Sequence, residues 1–238
     1  MRIQDLLFEQ ADLVTVNRRL NPKLWDKDML KPEIKKQLVK IAEVFQEFIG
    51  VDLDVIDFTL TGSNANYTWT EYSDLDLHII VKGMPDEKER ELYNAKKALW
   101  AEEHNITIKS LPVECYVQGE KEEHHSTGVY SILADQWLEK PKKVKPKIDD
   151  ASVKAKKNSI HHDIETALLS KDITKLRAVK LKITQMRKAG LEKAGEWSTE
   201  NLVFKILRNL GMIDKLTQEI RDLEDQELSL ETSAVPQL

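Results

Sequence analysis

Asp74 and Asp76 are the side chains in this sequence that are best suited to bind a divalent cation. They lie in the β-rich run SDLDLHIIV, where the two-residue period of a strand places both carboxylates and His78 on one face. The other face carries three apolar residues, Leu75, Leu77 and Ile79. Neighbouring carboxylates repel each other, so this arrangement is favourable only where a cation lies between them. Their hard oxygen ligands suit Mg²⁺ or Mn²⁺.

A third acid, Glu114, lies in the later β-rich run LPVECYVQ. The same strand period points Glu114 and Tyr116 to one side of the strand. Val113, Cys115 and Val117 point to the other side, which is apolar. Metal ions held by three carboxylates can polarise a phosphate, lower the pKa of an attacking hydroxyl and stabilise a departing pyrophosphate. Asp74, Asp76 and Glu114 are therefore the candidate catalytic and metal-binding residues. The chemistry they indicate is phosphoryl-group transfer, which depends mainly on positioning.

A Gly62-Ser63 turn follows the strand-like run DVIDFTLT. Glycine permits close approach to the backbone, and the amides after it are predicted to open a helix N-terminus, which attracts anions. Gly62 and Ser63 are therefore the candidate binding residues for the phosphates of a nucleotide. Trp69 and Tyr72 lie in the following loop and are candidates either to stack on a base or to pack over the sheet.

Together these segments resemble the nucleotidyltransferase superfamily of the DNA polymerase β type. In that family a Gly-Ser pair, a nearby Asp-x-Asp strand and a later acid on a neighbouring strand form the active site. The matching segments are Leu60-Thr61-Gly62-Ser63, Asp74-Leu75-Asp76-Leu77 and Val113-Glu114-Cys115, and the resemblance covers roughly residues 58–117. The stretches HHSTGVYSILADQWLEKP and ENLVFKILRNLG are similar to predicted phage and bacterial proteins of the same superfamily.

The resemblance implies a role for each candidate residue. Asp74 and Asp76 would ligate both metal ions, and Glu114 would ligate one ion and help to deprotonate the acceptor hydroxyl. Gly62 and Ser63 would contact the β- and γ-phosphates of the nucleotide. The third acid of the family is more often Asp, so Glu114 changes the reach of that ligand by about one methylene.

A small mixed sheet with flanking helices is predicted to position these residues. From Lys31 to Gly50, a proline at the start, apolar residues at helical spacing and the final glycine predict an amphipathic helix. A charged helix is predicted from Pro85 to about His104, and GVYSIL supplies a fourth strand. In the C-terminal third, apolar residues recur at spacings of three and four, which predicts a helical bundle.

The predicted fold class is α/β (α+β), a small mixed-sheet nucleotidyltransferase core with an N-terminal helix and a C-terminal helical domain. Residues 1–30 are predicted to be an N-terminal arm and residues 31–139 the catalytic domain. A basic linker or helix start follows at 140–157, and the C-terminal helical domain covers 158–230. Residues 231–238 are predicted to be a flexible tail.

The charge distribution gives nucleic-acid binding only local support. The formal net charge of the chain is -5, so there is no global basic field. Residues 140–157 contain eight Lys and two Asp, a local charge of +6. This stretch is either a solvated linker or a segment that receives a polyanion, such as an RNA 3′ end or a triphosphate. The same two interpretations apply to Lys180, Lys182 and Arg187.

The sequence contains a single cysteine, Cys115, which excludes an internal disulfide framework and fits a reducing compartment. Cys115 is interpreted as a small core residue. No apolar run reaches the ~20 residues needed to span a bilayer, so no membrane partner is expected. We expect a cytoplasmic protein, in the host cytoplasm if it is phage-encoded. Leu7-Phe8-Glu9 resembles the Leu-x-Glu cleavage sites of proteins packaged in phage heads, which leaves a virion-associated enzyme as an alternative.

The histidines are weaker candidates. His78 shares the acidic face of its strand and is interpreted as a packing or hydrogen-bonding residue, with support of the metal site as the alternative. His124-His125 and His161-His162 have no convergent spacing with other ligands, so zinc is not predicted.

The predicted function is metal-dependent transfer of a nucleoside monophosphate from an NTP to an acceptor hydroxyl, with release of pyrophosphate. An RNA 3′ end is the favoured acceptor, because of the lysine stretch and the helical appendage. The alternatives are transfer to a protein, to a small molecule or to a second nucleotide. A further alternative, from a different class, is a non-catalytic nucleotide-binding or antitoxin-like regulatory protein.

Overall fold

The computed structural model describes residues 16–122, 126–143 and 149–229, which form two compact units, residues 16–143 and 149–229. Each unit has its own hydrophobic core. Several features of the sequence fall outside the described residues: the first half of the predicted arm with Leu7-Phe8-Glu9, His124-His125, residues 144–148 of the lysine stretch, and the tail at 231–238.

The described part of the N-terminal unit contains a short hairpin, a six-stranded sheet and two α-helices. In chain order the elements are β1 (Trp25–Asp26), β2 (Met29–Leu30), α1 (Pro32–Ile49), β3 (Val55–Thr61), a 3₁₀ turn (Ser63–Ala65), β4 (Leu75–Val81), α2 (Glu87–Glu103), β5 (Thr107–Ile108), β6 (Leu111–Gly119), β7 (Val129–Ser131) and β8 (Gln136–Glu139). The strand order in the sheet is β5-β6-β4-β3-β7-β8. Only β4 and β6 among the described neighbours are parallel, so the predicted mixed sheet is confirmed.

Helix α1 begins and ends where its sequence predicts. Pro32 occupies the first turn, where its missing N–H costs no hydrogen bond. Gly50 ends the helix in the left-handed conformation, with φ of 76°, and its N–H donates to the carbonyl of Glu47. The apolar stripe of the helix is buried, at Ile34, Leu38, Ile41, Phe45 and Ile49.

Helix α2 is the crossover that a parallel strand pair requires, since it connects β4 to β6. A capping box fixes its first turn: Asp86 accepts from the backbone N–H of Glu89, and the Glu89 side chain accepts from that of Asp86. The helix therefore begins at Glu87, two residues after the predicted start at Pro85. Two aromatic side chains of the helix are buried, Tyr93 and Trp100.

Strand β4 confirms the predicted alternation of its two faces. Every second residue is fully or almost fully buried, at Leu75, Leu77, Ile79 and Val81, and the residues between them are half-buried. The buried face packs into the core that includes helix α1. The half-buried face carries Asp76 and His78, so the acidic side of the strand is turned away from that core.

The described C-terminal unit is helical, as predicted. Its α-helices are α3 (Asp150–Ser170), α4 (Ile173–Ala194), α5 (Thr199–Asn209) and α6 (Met212–Leu228). Side chains of Asp149, Asp172 and Ser198 cap the first three helices by accepting from backbone N–H groups. The core of the unit is apolar and includes Ile164, Leu176, Val203, Leu207 and Leu216.

The predicted fold class, a mixed sheet with an N-terminal helix and a helical C-terminal part, is therefore confirmed. Helix α3 begins at Asp150, inside the stretch predicted to be a basic linker or helix start. Among the described residues, no helix has the length and apolar character that crossing a membrane demands.

Candidate active site

The register of the central strands places Asp76 beside Glu114. These residues are opposite each other in the parallel pair of β4 and β6. On its other side Asp76 is opposite Thr61, the last residue of β3. Asp74 lies one residue before β4 and is half-buried, like Asp76. Because the side-chain period of a strand is two, Asp74 and Asp76 share a face, and the structure brings all three predicted acids to one end of it.

The Gly62-Ser63 turn lies directly against this acidic face. A Cβ at Gly62 would lie 1.8 Å from Asp76 Oδ2, so only glycine leaves room for that carboxylate. Gly62 also has φ of 72°, a backbone conformation that other residues adopt at a cost. Ser63 then begins a 3₁₀ turn of three residues, where a longer helix N-terminus was predicted. The predicted phosphate-binding turn therefore adjoins the predicted metal-binding aspartates.

Asn64 fixes the backbone that carries Asp74. Its side-chain amide donates to the carbonyl of Asp74 at 2.8 Å and to the carbonyl of Ser73 at 3.1 Å. The Asn64 side-chain oxygen accepts from the amide of Asn21 at 2.8 Å, and its backbone carbonyl accepts from the indole of Trp25 at 2.8 Å. Asn64 is fully buried, so these bonds form a closed polar network. Asn21 and Trp25, which lie in the predicted N-terminal arm, thus help to hold Asn64 in place.

A later segment braces the glycine turn. The N–H of Gly62 donates to Ser126 Oγ at 3.1 Å, and that hydroxyl donates to the carbonyl of Gly128 at 2.8 Å. Asn66 donates to Thr127 Oγ1 at 2.5 Å. A Cβ at Gly128 would lie 2.0 Å from a backbone oxygen of the turn, so this glycine permits the close approach.

Glu114 is engaged by two neighbours. Its Oε2 accepts from the hydroxyl of Tyr116 at 2.5 Å and pairs with Lys97 Nζ at 3.1 Å. The same Lys97 nitrogen lies 3.5 Å from the centroid of the Tyr116 ring. The Tyr116 ring in turn stacks on His78, with ring centroids 4.7 Å apart and planes 15° apart. His78 is thus a packing partner of Tyr116.

The pKa of Tyr116 reflects the negative charge of the acidic face of the sheet. Burial, followed by the charges of Asp76 and Glu114, its hydrogen bond to Glu114 and the charge of Asp74, raises the pKa of Tyr116 far above its usual range. The phenol therefore stays protonated and donates to the carboxylate at any physiological pH. Tyr116 therefore lies within electrostatic reach of all three acids.

The donor chemistry of Asp74 and Asp76 fits a divalent cation, because two half-buried carboxylates share one face of a strand. One oxygen of Glu114, Oε2, is held by Lys97 and Tyr116 in this arrangement. In the part of the chain that the structure describes, no group of three or more His, Cys, Asp or Glu side chains is placed to hold a metal ion. The metal role of the three acids stays a prediction.

Other predicted candidates lie in varied surroundings. The indole of Trp69 donates to the carbonyl of Arg19 at 2.9 Å, which ties it to the N-terminal segment, whereas Tyr72 is 64% exposed and open to stacking. Cys115 is buried on the face of β6 that points away from Glu114, and burial raises the pKa of its thiol to about 12. His161 pairs with Glu165 at 3.4 Å.

Four of the eight lysines in the stretch 140–157, all of them in the described part of the chain, contact other groups of the protein or are buried. Lys140 pairs with Asp28 at 2.5 Å. Lys143 donates to the carbonyl of Arg18, Lys156 pairs with Glu200, and Lys157 is buried. Beyond this stretch, Lys182 pairs with Asp163 and Arg187 lies over the Phe204 ring.

Asn64 and Lys97 are among the supporting residues that were not predicted from the sequence. Asn64 follows the Gly-Ser pair directly, but its partners at Ser73 and Asp74 come from the far end of a loop, so no local pattern indicates them. Lys97 does leave a signal. It is four residues after Tyr93 and three before Trp100, which places a lysine on the buried stripe of its helix.

A family model described as "Nucleotidyltransferase domain" matches residues 38–177, which is more than half of the chain. A comparison with solved structures gives a match to "Structure of STING-associated CdnE c-di-GMP synthase from Capnocytophaga granulosa", with 12% sequence identity and a TM-score of 0.23, over 94% of this chain and 98% of that chain. A TM-score this low does not show a shared fold. The curated proteins give no match.

Proposed function

This chain belongs to the family of nucleotidyltransferase domains, and we propose that it transfers a nucleoside monophosphate from an NTP to an acceptor hydroxyl. The observation that carries the proposal is the register that sets Asp76 opposite Glu114, with Gly62 packed on the Asp76 carboxylate. Carboxylates beside a glycine turn combine a cation site with a phosphate site. Residues 31–139 are the proposed catalytic domain.

In the proposed reaction the acceptor oxygen attacks the α-phosphorus and forms a new phosphoester bond. The bond from the α-phosphorus to the oxygen that bridges to the β-phosphate breaks, and pyrophosphate leaves with that electron pair. Glu114, opposite Asp76, is the carboxylate assigned to receive the hydroxyl proton. Positioning of the reacting groups supplies much of the catalysis in such transfers.

Asp74 and Asp76 are the proposed ligands of a divalent cation, Mg²⁺ or Mn²⁺, which when bound would supply positive charge to the phosphates. Two neighbouring residues hold these carboxylates in position. Asn64 fixes the backbone at Asp74, and the missing side chain of Gly62 leaves space for the Asp76 carboxylate. Both devices hold the pair in place before substrate binds.

Gly62 and Ser63 are the proposed contacts to the β- and γ-phosphates. The N–H of Gly62 donates to Ser126, so the contribution assigned to this glycine is space for close approach. Ser63 opens the 3₁₀ turn and offers its backbone amide and hydroxyl. Tyr72 is the exposed aromatic residue assigned to stack on the base.

The acceptor is proposed only as a hydroxyl. An RNA 3′ end is the acceptor that the lysine stretch favours in the sequence, but the structure gives it no added support. Lys140 and Lys156 form ion pairs within this chain, and Lys143 donates to a backbone carbonyl, so these ammonium groups already have partners. RNA, protein, a small molecule and a second nucleotide are therefore separate arms of one experiment.

The test incubates the protein and Mg²⁺ with each α-labelled NTP, alone and with pools of RNA, protein or small molecules. Wild type is expected to label one pool and release pyrophosphate. Asp74→Asn and Asp76→Asn are expected to lose about 10²-fold or more of this activity. Asp52→Asn, an exposed aspartate outside the site, is the matched control.

Equal pyrophosphate release by wild type and both site variants would overturn the proposal. Binding of an NTP without magnesium-dependent release of pyrophosphate would instead support the non-catalytic, regulatory alternative. A labelled nucleotide product that already forms in the arm with NTP alone would identify a nucleotide acceptor.

A further inference from the structure

Lys97 brings a positive charge to the acidic face of the sheet. Its Nζ lies 3.1 Å from Glu114 Oε2 and 3.5 Å from the centroid of the Tyr116 ring. The Lys97 side chain is 29% exposed, so most of it is packed against the protein. An ammonium that contacts a carboxylate and a ring face together is held by both ion pairing and cation–π attraction.

Helix α2 fixes where this ammonium lies. Trp100, one turn further along the helix, packs edge-on against Phe45 and Phe48 of helix α1. The adjacent Lys96 points elsewhere, because its Nζ donates to the carbonyl of Phe48 at 3.2 Å. The two neighbouring lysines therefore have different partners, and only Lys97 of this pair contacts Glu114 in the described structure.

Tyr116 is the second partner of Glu114 Oε2. Its hydroxyl donates to the same Oε2 atom at 2.5 Å, and its ring stacks on His78. One carboxylate oxygen thus receives a hydrogen bond from a phenol and an ion pair from an ammonium. A divalent cation at that oxygen would have to displace Lys97, a cation that cannot diffuse away because it is part of the chain.

We propose that Lys97 is a built-in counter-ion for Glu114, which stands in for a second metal ion at that carboxylate and leaves the site with one cation on Asp74 and Asp76. Lys97 is thus a positioning residue that acts through Glu114. The inference rests on the proposed function for the role of the cation, but its test counts bound ions and needs no turnover.

The experiment titrates the nucleotide-free full chain with Mn²⁺ and measures free Mn²⁺ by electron paramagnetic resonance. Wild type is expected to bind one ion in the site, and Lys97→Met is expected to bind two, because the ammonium that competes for Glu114 Oε2 is removed. Lys97→Arg keeps the charge and is expected to restore the single ion. Lys96→Met changes the adjacent lysine and is the matched control, with one ion expected.

Thermal unfolding of each variant checks that it is folded, and Lys97→Gln provides a second neutral variant that keeps a polar side chain. An equal number of ions bound by wild type, Lys97→Met and Lys97→Gln would overturn the inference. Two ions in wild type would overturn it as well, even if nucleotide transfer is observed. The expected change in ion number without any transfer would sustain the inference and count against the proposed function.

Discussion

The side-chain amide of Asn64 donates to the backbone carbonyl of Asp74 at 2.8 Å. The bond spans the loop between the glycine turn and strand β4, so it ties the proposed phosphate site to the proposed cation site. Asn64 is fully buried and also bonds Ser73 and Asn21, so its replacement would leave several buried polar groups without partners.

Asn64→Ala is therefore expected to lower the free energy of unfolding by about 2–4 kcal/mol, since each stranded buried group adds to the loss. In the folded fraction, kcat of nucleotide transfer is expected to fall about tenfold or more, because the backbone at Asp74 is no longer held. Urea unfolding followed by tryptophan fluorescence measures the first effect, and pyrophosphate release measures the second.

Asn94→Ala is the control for this change, because Asn94 is exposed on helix α2. Its free energy of unfolding should change by no more than about 0.5 kcal/mol. Equal stability of the Asn64 and Asn94 variants would show that the buried network around Asn64 contributes nothing.

Much of the N-terminal unit was predictable because its signals are local. The alternation in β4 and the proline and glycine at the ends of α1 are readable from neighbouring residues. The face shared by Asp74 and Asp76 follows from the strand period alone. That Asp76 lies opposite Glu114 required the parallel register of β4 and β6, which the family resemblance implied but no local pattern could fix.

The supporting contacts were not predictable for the same physical reason. Asn64 acts on a carbonyl ten residues away, and Ser126 braces Gly62 from sixty-four residues away. Such pairs depend on how loops return to the sheet, which single-residue preferences do not encode. The predicted helix after Gly62 is only a 3₁₀ turn, because the chain becomes extended at Asn66.

Gly62→Ala is expected to abolish nucleotide transfer. The new Cβ would lie 1.8 Å from Asp76 Oδ2, so the proposed cation ligand must move. The substitution also forces alanine to φ of 72° and ψ of -160°, a region that is almost restricted to glycine and costs about 1–3 kcal/mol by itself. Measurement of both transfer and the free energy of unfolding separates the two effects.

Gly83→Ala isolates the backbone effect, because Gly83 has φ of 79° and no atom within 4 Å of a built Cβ. It is expected to lose some stability, because alanine is strained at a positive φ, while it retains transfer. If Gly83→Ala and Gly62→Ala reduce transfer equally, close contact with Asp76 is not the reason that position 62 is glycine.

Cys115 is expected to resist thiol reagents in the folded protein. The residue is 1% exposed, and burial raises its pKa to about 12. Since the thiolate is the reactive form, a rise from the usual value of 9.0 reduces its fraction at neutral pH by about 10³-fold, apart from the loss of access. Reaction with a chromogenic disulfide should therefore be slow in buffer and fast in denaturant. Fast labelling of the native protein would contradict the register that points this thiol into the core.

Tyr130 is expected to make stability depend on alkaline pH. Burial and its hydrogen bond to Asp135 raise the pKa of Tyr130 from 10.0 to about 12. Between these values the folded protein holds a proton that the unfolded chain has released, so stability falls as pH rises. The contribution is present below pH 10 and is lost up to pH 12, by about 2–3 kcal/mol.

Tyr130→Phe removes this group but keeps the ring that packs edge-on against Trp25 and Trp137. Below pH 10 the variant should be less stable than wild type by about 1 kcal/mol, because the bond to Asp135 is lost. As pH rises to 12, wild type should lose that advantage and become the less stable of the two. Urea unfolding of both proteins at several pH values measures the difference, which cancels the contributions of other titrating groups. A difference that stays constant from pH 8 to pH 12 would mean that Tyr130 titrates alike in the folded and unfolded chains, despite its burial and its bond to Asp135.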